Sequence, residues 1–248
     1  QKGLSLDEAV EAVQQGLDEG VEAARGAGTS IRVGQLVSAM RHADRGLEIA
    51  QLALRHRDTG TVGFDIAGAE AGFPPSRLRD AFELLADEFF PVTIHAGEAD
   101  GIESIRGALR LGHGVRLLED ITLVDEGEMT RASLGRIAEW VKDRGIALET
   151  SPSSNLQTGA IAAWGDSMKD HPLDLFTQLG FRVTVNTDNR LMSATTLSRE
   201  LRLVAETFDY DLDDILALQL NAAQAAFLPV EDREALMDTI IAGFEEHA

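Results

Sequence analysis

Cysteine is absent from this chain, and its absence removes three kinds of chemistry. Without thiols there can be no disulfide framework, no thiolate metal ligand and no cysteine nucleophile. Long apolar runs are missing as well, and no segment approaches the roughly eighteen consecutive apolar residues of a membrane-spanning helix. The N-terminal residues Gln1-Lys2-Gly3 do not begin a basic-then-apolar signal sequence. Together these absences favour a cytoplasmic protein.

Basic side chains are few compared with acidic ones. The 248 residues include 22 lysines and arginines against 42 aspartates and glutamates, which gives a formal net charge of −20. Such a surface repels phosphate backbones and anionic lipids. We therefore expect neither a nucleic-acid partner nor a membrane partner. The sequence gives no indication of the oligomeric state.

Short apolar runs rich in valine, isoleucine and leucine alternate along the chain with segments of helical periodicity. This alternation is typical of βαβ units and a parallel sheet. The first predicted helix starts at Leu6, because Ser5 and Glu8 match a capping box. Six strands are predicted at Ile31–Val37, Thr61–Ile66, Val92–Ile94, Leu111–Val115, Ile146–Glu149 and Arg182–Val185. Further helices are predicted at Leu78–Glu88, Ile102–Leu109, Leu134–Arg144, Pro172–Leu179, Thr195–Thr207, Leu212–Phe227 and from Glu231.

Polar residues gather where the predicted strands end. A single histidine at such a place is more often a hydrogen-bonded structural group, and an isolated Asp-Asn pair is usually a turn or a helix cap. The recurrence of histidines, carboxylates and amides on successive strands is harder to explain in that way. The segments concerned are Asp65–Glu70, His95–Glu98, Gly112–Gly114, Ser151–Asn155 and Asn186–Asn189.

Six strands leave two fold classes open. An open doubly wound sheet accommodates six strands and is the alternative that the pattern alone allows. The polar strand ends favour a (β/α)8 TIM barrel, because closure of a barrel brings the carboxyl ends of its strands together. We predict a barrel with about six of its eight β/α units in this chain. Residues 1–248 would form one domain that is incomplete at its N-terminus.

The residues at these strand ends suit metal-assisted hydrolysis. His95 offers an imidazole and Asp188 a carboxylate, and both are ligands that Zn²⁺ accepts. A bound zinc ion lowers the pKa of its water to about 7, which makes a nucleophile available at neutral pH. Glu98 is close enough to His95 in sequence to act as a proton donor without being a ligand. His113 is placed to hold the water and to accept its proton.

Two further features refine this interpretation. Gly68 and Gly97 lack a Cβ atom and would let the backbone approach a flat ligand. Lysines are scarce, and none of the three lies in a predicted strand. Barrel hydrolases with two metal ions commonly bridge them with a carbamylated strand lysine, so this scarcity favours a site with one metal ion.

Five segments, taken in order, are similar to the adenosine deaminase family and in particular to its bacterial branch. Each segment alone would be a weak indication, but five in order at strand ends are specific. The resemblance extends over essentially the whole chain from Gln1. The segments read GFDIAG at Gly63–Gly68, TIHAGE at Thr93–Glu98, RLGHGV at Arg110–Val115, SPSSN at Ser151–Asn155 and VNTDN at Val185–Asn189.

The resemblance implies a zinc-dependent hydrolase that converts adenosine or 2′-deoxyadenosine to inosine and ammonia. His95 and Asp188 would then be zinc ligands. Glu98 would protonate the purine ring nitrogen beside the carbon under attack. His113 would orient and deprotonate the zinc-bound water. The partner of the protein would be a small purine nucleoside.

The resemblance also implies two contacts with the purine. The backbone amide of Gly68 would donate a hydrogen bond to a ring nitrogen. Asn189 stands where many relatives carry a second aspartate, which would have to be protonated before it could donate. The amide of an asparagine donates at any pH, so the role is preserved.

Two departures from the family pattern concern missing parts. The family takes two further zinc ligands from a His-x-His pair after its first strand, and this sequence has no such pair. We therefore predict that the first two strands are missing and that this form binds zinc weakly or not at all. The helix predicted up to Leu109 runs directly into Arg110, although such connections usually contain a few residues, so we also predict missing residues between Leu109 and Arg110.

Two alternatives remain. The first is deamination of another 6-aminopurine, such as adenine or aminodeoxyfutalosine, with the same residues. The second is an inactive barrel remnant that serves as a binding or scaffold protein. His42 is a weaker candidate for the pocket, and we interpret His56, His171 and His247 as surface residues.

Overall fold

The computed structural model describes residues 3–106, 110–125, 127 and 130–246. They divide into two compact units, Gln1–Thr93 and Ile94–Ala248. The boundary falls within a strand, and the predicted single domain over residues 1–248 stays a prediction. Among the described residues, no helix is both long enough and apolar enough to cross a membrane. The predicted gap between Leu109 and Arg110 borders residues 107–109, which lie outside the described part of the chain.

The first unit opens with helix α1 (Leu6–Gly26), and its predicted capping box is confirmed. The Ser5 hydroxyl accepts the Glu8 N–H at 3.2 Å, and the Glu8 carboxylate accepts the Ser5 N–H at 2.7 Å. These bonds satisfy backbone donors that the first turn of a helix leaves without partners. The elements that follow are β1 (Gln35–Met40), α2 (Gly46–Arg55), β2 (Thr61–Ala67), a 3₁₀ turn (Pro75–Leu78) and α3 (Arg79–Asp87).

Strand β1 pairs with β2 in parallel, and α2 packs on both strands. The predicted start of the first strand at Ile31 is wrong, because the strand begins at Gln35. Ile31 and Val33 are 52% and 37% exposed in the segment before the strand. Their β-branched side chains suggested a strand, but pairing and burial decide where a strand begins.

The second unit contains strands and helices in alternation. After β3 (Val92–Ala96), which spans the boundary between the units, come α4 (Ile102–Ile105), β4 (Leu111–His113), a 3₁₀ turn (Val115–Asp120), β5 (Ile121–Asp125), β6 (Thr130–Leu134), α5 (Arg136–Asp143), β7 (Ala147–Thr150) and α6 (Pro152–Gln157). The rest of the unit consists of a 3₁₀ turn (Met168–Asp170), α7 (Leu173–Gln178), β8 (Arg182–Val185), α8 (Arg190–Ser193), α9 (Leu197–Phe208), α10 (Leu212–Ala225) and α11 (Val230–Glu245).

Within the described residues, six strands form one sheet in the order β1-β2-β3-β4-β7-β8. They correspond to the six predicted strands, and the pairs β3 with β4, β4 with β7 and β7 with β8 are parallel. The middle strands carry fully buried apolar side chains, such as Phe64, Leu111 and Leu148. Full burial of one such side chain stabilises the fold by about 1.5–3 kcal/mol. Helices α7 and α10 both contact β8.

The sequence did not predict the antiparallel pair β5–β6, which forms a separate two-stranded sheet. Leu134 was expected to begin a helix but ends β6, and α5 starts at Arg136. The reason lies in a residue that precedes the hairpin. The Asp120 carboxylate accepts the N–H groups of Ile137 and Ala138, both at 2.8 Å, and so caps α5 from a distance in sequence.

Candidate active site

The two histidines predicted for the site lie side by side on adjacent strands. In the register of β3 and β4, His95 pairs with Gly112 and Ala96 pairs with His113. The imidazole rings of His95 and His113 stand edge to face with centroids 5.2 Å apart. Gly112 permits this approach, because a Cβ there would lie 3.2 Å from the Cα of His95 and 3.3 Å from its ring. His113 is 3% exposed, so its ring is buried at the carboxyl end of its strand.

Glu98, three residues beyond His95, lies beside these histidines. One of its carboxylate oxygens, Oε2, is 3.5 Å from Nε2 of His113. The other oxygen, Oε1, accepts a hydrogen bond of 3.0 Å from the hydroxyl of Thr158. The carboxyl group is therefore held from two sides, and its side chain remains 23% exposed. A carboxyl group in this position can exchange a proton with a ligand that enters from solvent.

Asp188 follows β8 and lies at the same edge of the sheet as His95, because β3, β4, β7 and β8 run in parallel. Its Oδ2 atom accepts a hydrogen bond of 2.6 Å from the Ser154 hydroxyl. Its backbone adopts φ = 51°, in the left-handed region. The next residue, Asn189, caps α8 by accepting the Met192 N–H at 3.1 Å. That contact uses Oδ1 of Asn189 and fixes Nδ2 as the part of the amide that could donate to a ligand.

Helix α6 connects these groups, and the sequence did not predict this role. Three of its side chains or flanking side chains bond to the predicted site: Ser154 to Asp188, Asn155 to His113, and Thr158 to Glu98. The first turn of α6 is itself fixed by the fully buried Glu200, whose carboxylate accepts the Ser153 N–H at 3.0 Å. The run of small polar residues after β7 was the available signal for this element.

Two of the predicted surface histidines are buried instead. His171 is 3% exposed and shares a hydrogen bond of 3.2 Å with the amide oxygen of Asn155. Burial lowers the pKa of His171 to about 3. His56, in the first unit, is 8% exposed and contacts the carboxylate of Asp7 at 2.9 Å. Both imidazoles have polar hydrogen-bond partners, and such partners cannot be recognised from the spacing of apolar residues in the sequence. His247 lies outside the described residues.

Gly68 belongs to the first unit, where it follows β2 with φ = 90°. A Cβ at this position would come within 2.8 Å of the Met40 side chain and 3.4 Å of the His42 ring. The backbone conformation at this position therefore favours glycine, whereas the end of the flexible Met40 side chain can move aside. Asp65, on the preceding strand, is 3% exposed and accepts a hydrogen bond of 2.9 Å from Ser38. The predicted contact between Gly68 and a purine stays a prediction.

A zinc site can be tested against the residues present. Among the residues that the structure describes, no group of three or more histidines, aspartates or glutamates is arranged to hold a metal ion. His95 and Asp188 are the two proposed donors, whereas catalytic zinc sites use three protein ligands. The described residues therefore do not fit a complete zinc site by themselves.

Comparison with known proteins places these features in a family. The adenosine deaminase family model matches residues 1–243. The chain is similar to adenosine deaminase 1 of Streptomyces coelicolor, with 53% identity over 247 residues, which cover 97% of this chain and 61% of that protein. The chain thus spans less than two thirds of the length of this relative.

Two solved structures show the same fold. A complex of Arabidopsis ADAL with IMP has a TM-score of 0.80 and 25% identity, and the match covers 99% of this chain and 69% of the other. An amidohydrolase from Burkhoderia ambifaria with bound Zn has a TM-score of 0.75 and 20% identity, with 94% and 62% covered. The predicted fold class, a (β/α)8 TIM barrel of which this chain holds six strands, is confirmed. Because the family model extends over nearly all of the sequence and more than half of the residues aligned with the Streptomyces protein are identical, the chain belongs to the adenosine deaminase family.

Proposed function

We propose that this protein is an adenosine deaminase, which hydrolyses adenosine or 2′-deoxyadenosine to inosine and ammonia. The observation that carries the proposal is the cluster of His95, Glu98 and His113, in which a partly exposed carboxyl group lies 3.5 Å from a buried imidazole. The Streptomyces relative, named adenosine deaminase 1, supports this substrate. The Arabidopsis structure with IMP supports a purine as the ligand class.

Each residue of the site has a proposed role. Glu98 delivers a proton to the purine ring nitrogen beside the carbon that carries the amino group. Gly68 and Asn189 donate hydrogen bonds to the purine from a backbone amide and from a side-chain amide. His113 orients the attacking water. The expectation that His113 also takes the proton of that water depends on which of its ring nitrogens carries hydrogen.

Removal of the proposed proton donor tests this function. In the full-length protein, Glu98→Gln should reduce kcat for adenosine by about 10²–10⁴-fold, because an amide cannot deliver the proton. The loss of absorbance at the adenosine maximum measures turnover, and metal analysis should show unchanged metal content. Glu103→Gln serves as the matched control, since the Glu103 side chain is 74% exposed and pairs with Arg106. Full turnover by Glu98→Gln would remove Glu98 from its role.

A substrate panel separates the alternatives. Adenosine, 2′-deoxyadenosine, adenine and aminodeoxyfutalosine should be assayed with the same metal-loaded protein. Turnover of adenosine and 2′-deoxyadenosine is the expected result. Turnover of adenine without adenosine would favour a deaminase of another 6-aminopurine. No turnover of any member of the panel would favour an inactive barrel that serves as a binding protein.

The proposed cofactor is one zinc ion per complete protein, with His95 and Asp188 among its ligands. The Zn-containing structure of the same fold supports zinc as the metal. Because the described residues supply only these two proposed donors, we expect the 248-residue chain to bind zinc weakly. Metal analysis after dialysis should find well below one zinc per 248-residue chain and about one per full-length protein. A fully loaded 248-residue chain would contradict this assignment of ligands.

A further inference from the structure

A series of buried hydrogen bonds leads from His113 away from the proposed zinc ligands His95 and Asp188. It passes from the Nδ1 atom of His113 to the amide of Asn155 at 3.0 Å, and from that amide to Nε2 of His171 at 3.2 Å. His113 and His171 are each 3% exposed, and Asn155 is fully buried. Buried polar groups of this kind are held in one arrangement, because any unsatisfied donor or acceptor is costly.

The first link fixes the hydrogen on His171. The backbone N–H of Leu173 donates to Nδ1 of His171 at 3.1 Å, so that nitrogen carries a lone pair. Burial lowers the pKa of His171 to about 3, which keeps the ring neutral near pH 7. A neutral imidazole has one N–H, and here it must be on Nε2. His171 therefore donates from Nε2 to Asn155.

The second link fixes the orientation of the Asn155 amide. Oδ1 of Asn155 accepts the Nε2–H of His171 at 3.2 Å and also the backbone N–H of Ser151 at 3.2 Å. A backbone N–H can only donate, so the atom that faces it must be the oxygen. The other end of the amide, Nδ2, then faces His113 and can only donate.

The third link fixes the hydrogen on His113. Since Nδ2 of Asn155 donates, Nδ1 of His113 must accept with its lone pair, and the ring hydrogen therefore lies on Nε2. That atom is the one 3.5 Å from the Glu98 carboxylate. The backbone N–H groups of Ser151 and Leu173 thus determine, through two intervening side chains, the hydrogen-bonding character of His113 toward the site.

We infer that Asn155 and His171 are positioning residues that hold His113 as the Nε2–H tautomer, so that His113 acts on the attacking water as a hydrogen-bond donor. The tautomer follows from the contacts alone, whereas its role toward the water rests on the proposed function. In this arrangement Nε2 has no lone pair with which to take a proton from the water. The expectation that His113 deprotonates the water is therefore replaced by an orienting role.

The tautomer can be measured directly in the full-length protein. With ¹⁵N-labelled histidine, long-range ¹⁵N–¹H spectra distinguish a protonated ring nitrogen from one with a lone pair. The signals of His113 are identified by their loss in His113→Gln. We expect a protonated Nε2 and an unprotonated Nδ1 in the unmodified protein. A protonated Nδ1 would overturn the inference.

Asn155→Asp replaces the group that donates to Nδ1 of His113 with one that accepts, and it keeps the shape of the side chain nearly the same. Its carboxylate can still accept from Ser151 and His171, but the oxygen that faces His113 can only accept as well. Nδ1 of His113 must then carry hydrogen, and we expect its ¹⁵N signal to move to the protonated range. Asn221→Asp is the matched control: the Asn221 amide donates to the Val183 carbonyl at 3.0 Å, and the tautomer of His113 should not change. An unchanged His113 signal in Asn155→Asp would contradict the inference.

Kinetics of the metal-loaded full-length protein separate positioning from structure. Asn155→Asp should lower kcat on the order of 10²-fold with little change in KM, because a wrong tautomer affects the reaction more than substrate binding. His171→Gln, whose amide can still donate to Asn155, should retain most activity, and His171→Leu should not. Full activity in Asn155→Asp with an altered tautomer would overturn the role. An unmodified protein that deaminates nothing but shows the Nε2–H tautomer would instead refute the proposed function.

Discussion

The two outer strands of the sheet, β1 and β8, differ in how they are covered. On β1, Leu36 and Met40 are 43% and 44% exposed, whereas on β8, Val183 and Val185 are 0% and 4% exposed. Both strands come from similar apolar runs, and helices α7 and α10 contact β8. An apolar run therefore predicts a strand but does not tell whether both of its faces are packed.

The largest difference between the two strands should appear in core truncations. Phe176, on α7, is fully buried and contacts Phe181 with ring centroids 5.6 Å apart. Phe176→Ala should lower the free energy of unfolding by about 3–5 kcal/mol, because it removes a buried aromatic ring and leaves a cavity. Urea denaturation monitored by circular dichroism measures this loss. Leu36→Ala on β1 is the comparison and should cost about 1 kcal/mol or less. Equal costs would show that Leu36 on β1 is as firmly packed as Phe176 on the helix that covers β8.

Glycine substitutions give the second test of the comparison. Gly97 and Gly68 have φ values of 70° and 90°, so alanine at either position should cost about 1 kcal/mol in backbone strain. At Gly97 the new Cβ would also lie 2.6 Å from the fully buried Ile105 side chain. At Gly68 it would meet the end of the exposed Met40 side chain, which can move away. We expect about 2–4 kcal/mol for Gly97→Ala and about 1 kcal/mol for Gly68→Ala by the same denaturation assay.

Gly72→Ala is the control for this pair. Gly72 has φ = 79°, and a Cβ added there would meet no atom within 4 Å, so its substitution reports backbone strain alone. Gly68→Ala and Gly72→Ala should therefore be similar. A much larger cost at Gly68 would mean that Met40 is held as firmly as the residues of the second unit.

Lowering the pH should produce the smallest of the three changes in stability. His171, which lies two residues before α7, has a folded-state pKa of about 3 against an ordinary value of 6.5. Its folded pKa is depressed, so the unfolded state binds the proton more readily and stability falls as pH decreases below about 6.5. At pH 5 the loss should be about 2 kcal/mol relative to neutral pH. Unfolding measured between pH 7 and pH 5 should show a flatter profile for His171→Gln.

The exposed His42 provides the matched substitution for the acid experiment. His42→Gln removes an exposed imidazole instead of the buried one, and its pH profile is the reference for that of His171→Gln. If His171→Gln retains the full pH dependence, another group is responsible for it.

The strands could be predicted because each is a short apolar run between turn residues. The hairpin β5–β6 could not, since Leu123 and Val124 on β5 are 50% and 45% exposed and give no clear alternation. The start of α5 was also missed, because its cap is the distant Asp120 rather than a neighbouring residue. Local sequence therefore predicts that an element exists more reliably than it predicts where the element begins and ends.

For the site, the sequence identified the residues at strand ends but not the groups that hold them. His95, Glu98 and His113 could be found because the carboxyl ends of parallel strands meet at one edge. Asn155 and His171 were missed as functional residues because their role depends on hydrogen-bond partners brought together by the fold. Histidines that are buried and satisfied by an amide have no signature in sequence spacing.

His113 and Asp188 both adopt left-handed backbone conformations, with φ values of 70° and 51°. Glycine would occupy either position with less strain, yet only an imidazole and a carboxylate supply the chemistry proposed there. Selection of variants for heat resistance alone would therefore tend to accept glycine at Asp188, where the side chain is exposed and little packing is lost. A thermostability screen of this protein should be paired with an activity screen, because at this position the two criteria favour opposite residues.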